Sequence, residues 1–530
     1  MPLAPVLAKP LLGMILFCCF LRVWVPDSSR AEKPNFVVIL ADDVGWGDLG
    51  ANVAGSTSDT PNLDRMASEG MRFVDFHAAA SACSPSRASL LTGRLGIRNG
   101  VTHNFAVTSV GGLPLNETTL ADVLKQAGYR TGLIGKWHLG HHGRYHPNFR
   151  GFDYFYGIPY SNDMGCTDHP GYDLPPCPPC PMPPETRGSR RGGCFTDLAL
   201  PLMENSAIVE QPVTLSSLPA TYVRKATDFM NEATGLGQPF FLYVALAHMH
   251  VPLSAGPGPP TPYSAGLRQM DLMVEQIRAE AFSAGRTNTL LWFTGDNGPW
   301  AQKCDLAGSV GPFVGAWQTR QGGSSAKQTT WEGGHRVPAV VYWPESTPRN
   351  VTSAALLSLL DVFPTLASLA DAALPTGRRF DGKDVSDVLR GRSRAGHRIL
   401  YHPNSGAAGS FGQIAAVRVD RHKGFYTTGG ALSCGGRLGP ERHHDPPLVF
   451  NLQRDPQEAD ALDPRSEEYL AVLPELTKAI ESLSADVLAD NVSVADYSRQ
   501  SSAALCCDPA HVACRCSQLQ LHNHNASSPN

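Results

Sequence analysis

Short, almost wholly apolar runs alternate with amphipathic stretches through most of this chain. Residues 35–40 read NFVVIL and lead into Asp42 and Asp43. Similar runs occupy residues 129–134, 240–245 and 289–294, and helical patterns lie between the runs at residues 118–127, 221–233 and 270–281. Apolar runs without alternation are typical of strands buried on both faces of a parallel sheet. The sequence therefore predicts an α/β fold, with a large, mainly parallel but mixed central sheet flanked by helices.

The pattern changes near residue 395. Four shorter strand-like runs and then a long helical pattern follow, at residues 399–402, 414–419, 424–428, 448–452 and 467–488. Such runs predict a smaller antiparallel sheet with one packing helix. At ~100–200 residues per domain, the 530 residues allow about three domains. We expect a large domain at residues 34–395, a sheet subdomain at 396–500 and a cysteine-rich tail at 501–530.

The N-terminus and the cysteines indicate the secretory pathway. We interpret residues 1–28 as a signal peptide, because Lys9 precedes an apolar run at 11–21 that is too short to span a bilayer. A short membrane anchor is the alternative. Ten cysteines remain once the two in the signal and Cys83 are set aside, and an even number favours disulfides. Four glycosylation sequons agree with a secreted or lysosomal glycoprotein without a transmembrane segment, at Asn116, Asn350, Asn491 and Asn525.

One internal segment has a composition of its own. Residues 166–194 are rich in proline and contain Cys177 and Cys180. Proline at this density excludes a regular element, so we predict a surface loop closed by disulfides. A zinc knuckle is the alternative for the two cysteines.

The charge balance excludes some classes of function. Lys and Arg number 44 against 48 Asp and Glu, which gives a net charge of −4, and only 17% of residues are charged. These values exclude a disordered chain and a strongly basic nucleic-acid-binding protein. Protonation of all 18 histidines would carry the net charge to +14. A protein of this composition can therefore attract anionic substrates at acidic pH.

Polar side chains follow two of the predicted strands. Asp42 and Asp43 come after the first strand, and Asp296 and Asn297 come after the run at 289–294. The carboxyl ends of parallel strands share one edge of the sheet, where ligands usually bind. Three carboxylates and an amide oxygen are ligands that Ca²⁺ or Mg²⁺ accepts. The alternative is that these residues only cap the helices that follow.

A cysteine stands at the predicted start of a helix. In the stretch CSPSR, Pro85 fits the first turn of a helix that Gly93 would end. Cys83 would then lie where backbone N–H groups favour an anion, and Arg87, one turn along, would hold that anion or a modified Cys83. A buried structural cysteine and a thiolate nucleophile are the two alternatives.

Basic residues follow other predicted strands. They are Lys136 and His138, then His248 and His250, and finally Lys327. Together with an arginine they would suit a doubly charged tetrahedral anion. His248 and His250, on a strand, are expected to point to opposite faces, so only one should face the site.

Two long motifs, in the right order, resemble the signatures of the sulfatase family. The first is Cys83-x-Pro85-Ser86-Arg87 with LLTGR at residues 90–94, and the second is GYRTGLIGKWH at residues 128–138. The resemblance covers about residues 34–500 and implies an alkaline-phosphatase-like fold with the catalytic domain at 34–395. It also implies a sulfuric ester hydrolase.

The resemblance implies a cofactor and a modified residue. One Ca²⁺ would be bound by a set of five residues, Asp42, Asp43, Cys83, Asp296 and Asn297. A formylglycine-generating enzyme that reads Cys-x-Pro-x-Arg would oxidise Cys83 to Cα-formylglycine. One hydroxyl of the aldehyde hydrate would attack sulfur, and the other would then expel sulfate. A serine lacks the second hydroxyl and would stay trapped as a sulfate ester.

The resemblance also implies roles for the basic residues. Arg87 and Lys136 would orient the hydrate, and His138 would assist its deprotonation. The sulfate would be contacted by four residues, Lys136, Ser161, His250 and Lys327. His250, protonated at acidic pH if its pKa is ordinary, would protonate the leaving oxygen. Two departures from the family pattern are Asn162, where histidine is frequent, and Ala82.

Residues 247–252 and 322–335, with the cysteine-rich tail, resemble one lysosomal branch of the family. That likeness implies removal of 3-O-sulfate from glucosamine (N-sulfoglucosamine) in heparan sulfate, mainly in the lysosome with some protein secreted. A non-catalytic binder of sulfated glycans and a phosphodiesterase or phosphonate hydrolase of the same superfamily are the alternatives. A Cys304–Cys434 disulfide joining the two domains is a further hypothesis.

Overall fold

The computed structural model describes residue 1 and residues 33–53, 58–167, 198–253, 261–508 and 514. The predicted signal peptide, the loop with Cys177 and Cys180, Asn525 and most of the tail lie outside these residues, apart from Met1 and the ends of the loop and tail. Residues 33 onward form one compact unit. Within the described ranges, no helix combines the length and the apolarity needed to cross a membrane.

The described residues contain sixteen strands. They are β1 (Asn35–Ala41), β2 (Met71–Phe73), β3 (Phe76–His77), β4 (Arg130–Gly135), β5 (Tyr154–Gly157), β6 (Leu202–Glu204), β7 (Ala207–Glu210), β8 (Phe240–Leu246), β9 (Thr289–Gly295), β10 (Ala339–Tyr342), β11 (Val351–Ser353), β12 (Leu357–Ser358), β13 (Ile399–Pro403), β14 (Ile414–Val419), β15 (His422–Thr428) and β16 (Arg442–Asn451).

The same residues contain eleven α-helices. They are α1 (Pro61–Glu69), α2 (Cys83–Thr92), α3 (Gly96–Asn99), α4 (Leu120–Gln126), α5 (Leu218–Gly235), α6 (Pro262–Ala281), α7 (Ala316–Gln321), α8 (Glu332–His335), α9 (Val362–Leu369), α10 (Ser386–Leu389) and α11 (Glu467–Leu488). Helix α6 begins earlier than the predicted residue 270, because Thr261 caps it and Pro262 occupies its first turn.

Ten strands form the central sheet, in the order β11-β2-β10-β9-β1-β8-β4-β5-β6-β7. The five strands from β9 to β5 are parallel to one another. Strand β10 runs antiparallel to both of its neighbours, and β6 and β7 extend the other side in antiparallel pairs. The expectation of a mixed, mainly parallel sheet flanked by helices is confirmed.

The central strands are buried on both faces, which explains their unbroken apolar sequences. In β1, Phe36, Val38 and Leu40 belong to the core on one face of the sheet. Val37 and Ile39 belong to the core on the other face, against α5 and α6. A strand of this kind has no solvent side, so alternation of polar and apolar residues is absent.

The smaller sheet is antiparallel, in the order β13-β14-β15-β16, as expected from the sequence. On one face, Val417 and Val449 pack against Tyr469 and Leu476 of α11. On the other face, Phe425 stacks on Trp331, with 4.1 Å between the ring centroids. Because Trp331 precedes α8, the smaller sheet is packed directly onto the large domain.

Two disulfides lie in the described region. Cys304 is bonded to Cys434 across a sequence separation of 130 residues, as hypothesised. A second bond joins Cys506 to Cys514 in the tail. The first bond ties the segment after β9 to the connection between β15 and β16, and so links the large domain to the smaller sheet.

Candidate active site

The polar strand ends meet at one edge of the central sheet. Strands β1 and β9 are neighbours in register, with Ala41 opposite Gly295, so the residues that follow them are adjacent. The backbone N–H of Asp43 donates to Asp296 Oδ1 at 3.2 Å. Asp43 takes a left-handed conformation with φ of 57°, which turns the chain sharply at the end of β1. The sequence expectation that these side chains lie together is confirmed.

Cys83 lies against this edge, at the first residue of α2. The helix is buried throughout and ends at Gly93, whose φ of 67° completes the predicted C-cap. Cys83 Sγ is 3.6 Å from Asp42 Oδ1. Burial raises the pKa of the Cys83 thiol to about 12, although Lys136 and Lys327 act in the opposite direction. A thiol with this pKa is a poor nucleophile near neutral pH, which disfavours the thiolate alternative.

Arg87 and Lys136 connect Cys83 to the carboxylates. Arg87 donates from Nε and Nη2 to Asp296 Oδ2, at 3.1 and 2.8 Å, and from Nη1 to the carbonyl oxygen of Lys136. Lys136 Nζ lies 2.6 Å from Asp42 Oδ2. Burial favours the neutral form of Asp42, but Lys136 and Arg87 outweigh it and hold the pKa well below its ordinary value. Asp42 is therefore ionised.

Asp43 and Asn297 form the other half of the strand-end group. Lys327 Nζ lies 2.6 Å from Asp43 Oδ1, and Asn297 Nδ2 donates to the same oxygen at 2.7 Å. Asn297 Oδ1 is buried and has no hydrogen-bond partner in the described part of the chain. Burial also raises the pKa of Asp43, and burial and the charge of Asp42 raise that of Asp296 to about 7. At both carboxyl groups, burial and the neighbouring carboxylates outweigh the charges of Lys327 and Arg87.

His138 lies deep in the same site, in a left-handed conformation with φ of 58°. Its Nε2 is 3.2 Å from the carbonyl oxygen of Phe105, and its buried Nδ1 has no partner among the described residues. Burial, together with the charges of Lys136 and Arg87, lowers the pKa of His138 well below 6.5. The ring is therefore neutral and has one nitrogen available to accept a proton.

Ser161 and His250 complete the inner wall. Lys136 Nζ donates to Ser161 Oγ at 3.2 Å, and His250 Nε2 is 3.7 Å from Asp43 Oδ2. Burial and then the charge of Lys327 lower the pKa of His250 well below 6.5. The assumption of an ordinary pKa for His250 is therefore wrong, because the ring is buried beside a lysine.

Only His250 of the histidine pair joins the site, as expected, but the geometric reason was wrong. Strand β8 ends at Leu246, and both histidines lie in the turn that follows. His248 is buried apart from the site, and its carbonyl oxygen accepts a hydrogen bond from the N–H of Asp42 at 3.3 Å. Asn162 Nδ2 donates to the carbonyl oxygens of Ala247 and His250. Asn162, which stands where the family frequently has histidine, therefore helps to hold this turn in place.

Four of the site residues described above line a cavity of about 250 Å³. Besides His138, Ser161, His250 and Lys327, its lining includes residues that the sequence analysis missed, namely Asn104, Phe105, Ala106, Asp163, Met164, Trp300, Gln328 and Arg499. Trp300 contacts both His250, with 5.4 Å between ring centroids, and Lys327, whose Nζ is 4.8 Å from the ring centroid. Trp300 and Asp163 stand close to predicted residues, but no motif marked them.

The donor set at the strand ends fits a hard cation. Atoms of Asp42, Asp43, Cys83 and His250 lie within 4.8 Å of one another. The predicted ligand set contains Asp296 and Asn297 rather than His250. Asp296 Oδ2 is held by Arg87, whereas the unpartnered Asn297 Oδ1 is an oxygen that a cation could use. Carboxylate and amide oxygens suit Ca²⁺, and a cation would stabilise the ionised form of the crowded carboxyl groups.

Three of the four predicted sequons have exposed asparagines, at Asn116, Asn350 and Asn491. The first and third lie side by side, since Ser493 Oγ donates to Asn116 Oδ1 at 3.0 Å. Glycosylation itself stays a prediction at these positions.

Comparison with known proteins shows the class to which this fold and site belong. A sequence profile of the sulfatase family matches residues 34–372, and a profile described as the C-terminal region of aryl-sulfatase matches residues 395–516. The chain belongs to the sulfatase family and is a sulfuric ester hydrolase. Membership of this family favours the esterase over the glycan-binding and phosphodiesterase alternatives.

Within the family, the chain is similar to arylsulfatase G. It is 64% identical to arylsulfatase G of Homo sapiens, over 96% of this chain and 98% of the relative. Identity to human arylsulfatase A is 38%, over 81% and 83% of the two chains. The crystal structure of PsFucS1 sulfatase from Pseudoalteromonas sp. has a TM-score of 0.70 at 26% identity, and covers 88% of this chain and 92% of that one.

Proposed function

We propose that this sulfatase is a lysosomal enzyme that acts through formylglycine at Cys83 and one bound Ca²⁺. Its substrate would be the 3-O-sulfate of N-sulfoglucosamine in heparan sulfate. The observation that carries the proposal is the position of Cys83. It starts a buried helix within a Cys-x-Pro-x-Arg motif, and its sulfur faces Asp42 between the charges of Lys136 and Lys327.

The modification explains why a cysteine stands here. A buried thiol whose pKa is raised to about 12 contributes little as a nucleophile. When present, the hydrated aldehyde supplies one hydroxyl to attack sulfur and a second whose deprotonation releases sulfate. The formylglycine-generating enzyme would be the partner during maturation, because the required motif is complete at Cys83, Pro85 and Arg87.

Three residues around Cys83 would prepare the attack. Lys136 Nζ lies between Asp42 and Ser161, and so places a positive charge beside the nucleophile. Arg87 is fixed by Asp296 and by the carbonyl oxygen of Lys136, and so keeps the lysine in place. His138 is neutral and presents an unpartnered Nδ1, as a group that accepts the proton of the second hydroxyl must.

The sulfate group would bind between Lys327, His250 and Ser161. Lys327 carries the positive charge, and Ser161 Oγ is 3.4 Å from the His250 ring. His250 Nδ1 is 2.7 Å from the carbonyl oxygen of Val251, an arrangement in which Nδ1 holds the proton and Nε2 is free to accept one. An anionic ester beside the ring would raise its pKa, and the ring could then protonate the leaving oxygen.

Five residues would hold Ca²⁺ at the strand ends, Asp42, Asp43, Asp296, Asn297 and the modified Cys83. The ion would supply positive charge that stabilises the oxygens of the ester in the transition state. The three carboxyl groups and the unpartnered amide oxygen of Asn297 support this assignment.

The size of the site and its relatives support the glycan substrate and the compartment. A cavity of about 250 Å³ has room for about one sugar residue, and larger ligand sites reach ~1,000 Å³. Such a cavity favours removal of sulfate from the end of a chain. The similarity to arylsulfatase G, the two disulfides and the exposed sequons support a glycoprotein of the lysosome.

Mass spectrometry of the tryptic peptide spanning residues 73–87 tests the modification. In protein secreted by animal cells, we expect Cys83 as the aldehyde. Detection of an unmodified thiol in protein co-expressed with the modifying enzyme would refute the mechanism.

Substrate assignment needs a pair of positional isomers. We expect sulfate release from a heparan-type oligosaccharide that ends in 3-O-sulfated N-sulfoglucosamine, and not from its 6-O-sulfated isomer. Release of sulfate from the 6-O-sulfated isomer alone would refute the 3-O-sulfate assignment, but it would agree with the proposed sulfatase chemistry. A bis-aryl phosphate serves as the test for the phosphodiesterase alternative, and we expect no hydrolysis of it.

A further inference from the structure

The cavity opens towards a rim that the inner mechanism does not use. The inner residues His138, Ser161, His250 and Lys327 are each at most 5% exposed. Towards the outside, Asn104 and Arg499 are exposed and Gln328 is half-buried. Gln328 packs against Gly406, which lies in the connection between β13 and β14. Three separate parts of the chain therefore meet at this rim.

Arg499 reaches the rim because the chain returns to the large domain after α11. The N–H of Val110 donates to the carbonyl oxygen of Ser498 at 3.0 Å, and the N–H of Gln500 donates to that of Thr108 at 2.9 Å. An antiparallel bridge between Ser109 and Arg499 lies between these two bonds. The backbone of Arg499 is fixed on both sides, whereas no carboxylate among the described residues pairs with its exposed guanidinium.

Four stacked rings lead from the cavity wall to the surface beside Arg499. Phe105 lines the cavity and stacks on Tyr497, with 4.8 Å between ring centroids. Tyr497 stacks on His103 at 3.7 Å, and His103 stacks on Phe411 at 4.3 Å. Phe411 ends the row and is 53% exposed. Arg499 lies close to this row, because it lines the same cavity as Phe105 and follows Tyr497 by two residues. Burial and then the charge of Arg499 lower the pKa of His103.

Tyr497, in the buried part of this row, stabilises the fold, whereas the exposed ring at the end of the row does not. Tyr497 Oη accepts hydrogen bonds from the N–H groups of Thr102 and His103, and so anchors the returning segment. The side chains of Arg499 and Phe411 add little to that anchoring, since the guanidinium has no carboxylate partner within the described ranges and Phe411 has half of its surface in water. At the mouth of the cavity, a guanidinium without a carboxylate partner among the described residues and a row of rings with an exposed end are suited to an anionic sugar chain.

We propose that Arg499 and Phe411 form an outer contact for the sugar next to the one being desulfated. The Arg499 guanidinium would bind a sulfate or carboxylate group of that sugar, and Phe411 would pack against its C–H face. The enzyme would thereby distinguish an anionic glycan chain from a small aryl sulfate. The inference rests on the proposed function for the identity of the substrate as a sulfated glycan.

A binding measurement tests the outer contact apart from turnover. The full-length chain with C83A is titrated with a heparin-derived tetrasaccharide, alone and combined with R499Q or F411A. We expect the dissociation constant to rise roughly fivefold with R499Q and roughly threefold with F411A, because both contacts are exposed. R349Q and F149A change an exposed arginine and an exposed phenylalanine elsewhere, and serve as matched controls without effect.

A kinetic experiment distinguishes a direct contact with the glycan from a general structural role of Arg499. In chains with Cys83 intact, R499Q should raise KM for the sulfated oligosaccharide relative to KM for 4-nitrocatechol sulfate, and added salt should narrow the difference. Equal losses on both substrates, or unchanged tetrasaccharide binding in R499Q, would overturn the outer contact. Failure of the C83A parent to bind the tetrasaccharide would also overturn it. The proposed chemistry at Cys83 fails separately, through absence of the aldehyde or of aryl sulfate hydrolysis.

Discussion

Two buried clusters in this molecule each combine three carboxylates with three cations. The strand-end cluster lies at the carboxyl edge of the central sheet and consists of Asp42, Asp43, Asp296, Arg87, Lys136 and Lys327. The junction cluster lies between the large domain and the smaller sheet and consists of Asp75, Glu332, Glu458, Arg336, Arg418 and Lys423. Their compositions match, yet we assign catalysis to one and stability to the other.

In the junction cluster, Asp75 and Glu332 are closely paired with cations. Asp75 accepts from Arg336 and Arg418, at 2.8 and 2.7 Å. Glu332 uses one oxygen for Lys423 and the other for Arg336, each at 2.8 Å. His77 and His402 approach Glu332 closely enough for a metal site, with ligand atoms within 4.8 Å of one another. Cations already occupy the oxygens of Asp75 and Glu332, so we assign no metal to the junction cluster.

The strand-end cluster keeps unsatisfied groups. Asn297 Oδ1 has no partner in the described part of the chain, and the pKa values of Asp43 and Asp296 are raised. Buried polar groups normally find partners, and exceptions concentrate at functional sites.

Hydrogen bonding alone does not separate the two clusters, because Glu458 Oε1 of the junction cluster is also buried without a hydrogen-bond partner in the described part of the chain, and burial raises the pKa of Glu458 to about 7. The strand-end cluster differs in that Asp42 faces Cys83 and Lys327 reaches the cavity.

The largest effect is expected at Cys83. C83A should lower kcat for an aryl sulfate by on the order of 10⁴-fold, because it removes the nucleophile, while thermal unfolding stays close to that of the parent. C83S keeps one hydroxyl, so it should react once and retain a sulfate ester that intact-protein mass spectrometry detects. Substantial steady-state turnover by C83A would contradict the assignment.

Next in size is the loss of a satisfied carboxylate. D75N removes the carboxylate closest to Arg418 and leaves Arg336 with Glu332 alone, and should lower the free energy of unfolding by about 4 kcal/mol. Denaturant titration with the disulfides intact measures this change. The kcat of the folded fraction should stay near that of the parent. A loss under about 1 kcal/mol would show that the junction cluster does not stabilise the fold.

D43N makes the matched change in the other cluster. The parent should gain about 3 kcal/mol of stability when Ca²⁺ is present at ~100 times its dissociation constant, since only the folded chain offers the site. D43N should lose this gain, because Asp43 is a proposed ligand, whereas D75N should keep it. Differential scanning calorimetry with Ca²⁺ and with a chelator measures both. An identical calcium response in D43N and the parent would remove Asp43 from the metal site.

The strand-end cluster was predictable because it follows from local patterns and one topological rule. Buried runs that end in Asp42-Asp43 and Asp296-Asn297 indicate parallel strands, and parallel strands bring those ends to the same edge. The start of α2 at Cys83 follows in the same way from Pro85 and Gly93. The roles assigned to these residues came from the motifs and were not contained in the spacing.

The junction cluster and the outer rim were not predictable in this way. Asp75 and Arg418 are 343 residues apart and meet only after the smaller sheet has packed onto the large domain. Arg499 reaches the cavity mouth because the chain turns back beyond α11, and no local pattern encodes that return. The prediction that His248 and His250 lie on a strand was wrong for a local reason, because β8 ends at Leu246, before both histidines.

The smallest effect concerns acid stability and the junction cluster. Burial and the charge of Lys423 lower the pKa of His335 from 6.5 to about 3, so the folded chain keeps this ring neutral. Between about pH 3 and pH 6.5 the unfolded chain binds a proton that the folded chain does not. The free energy of unfolding therefore decreases as the pH is lowered through this range. At pH 5 the effect of this one group is at most about 2 kcal/mol relative to pH 7.

H335Q should make the drop in unfolding free energy between pH 7 and pH 5 smaller by up to that amount. At pH 7 it should cost some stability, because His335 Nδ1 is 2.9 Å from the carbonyl oxygen of Ala78. Urea titrations at the two pH values separate the change in pH dependence from the loss of stability at pH 7. H142Q, at an exposed histidine, is the control. An unchanged drop in H335Q would mean that the acid sensitivity arises elsewhere. A smaller drop would show that the neutral His335 ring, beside Lys423 of the junction cluster, contributes to the acid sensitivity of the fold.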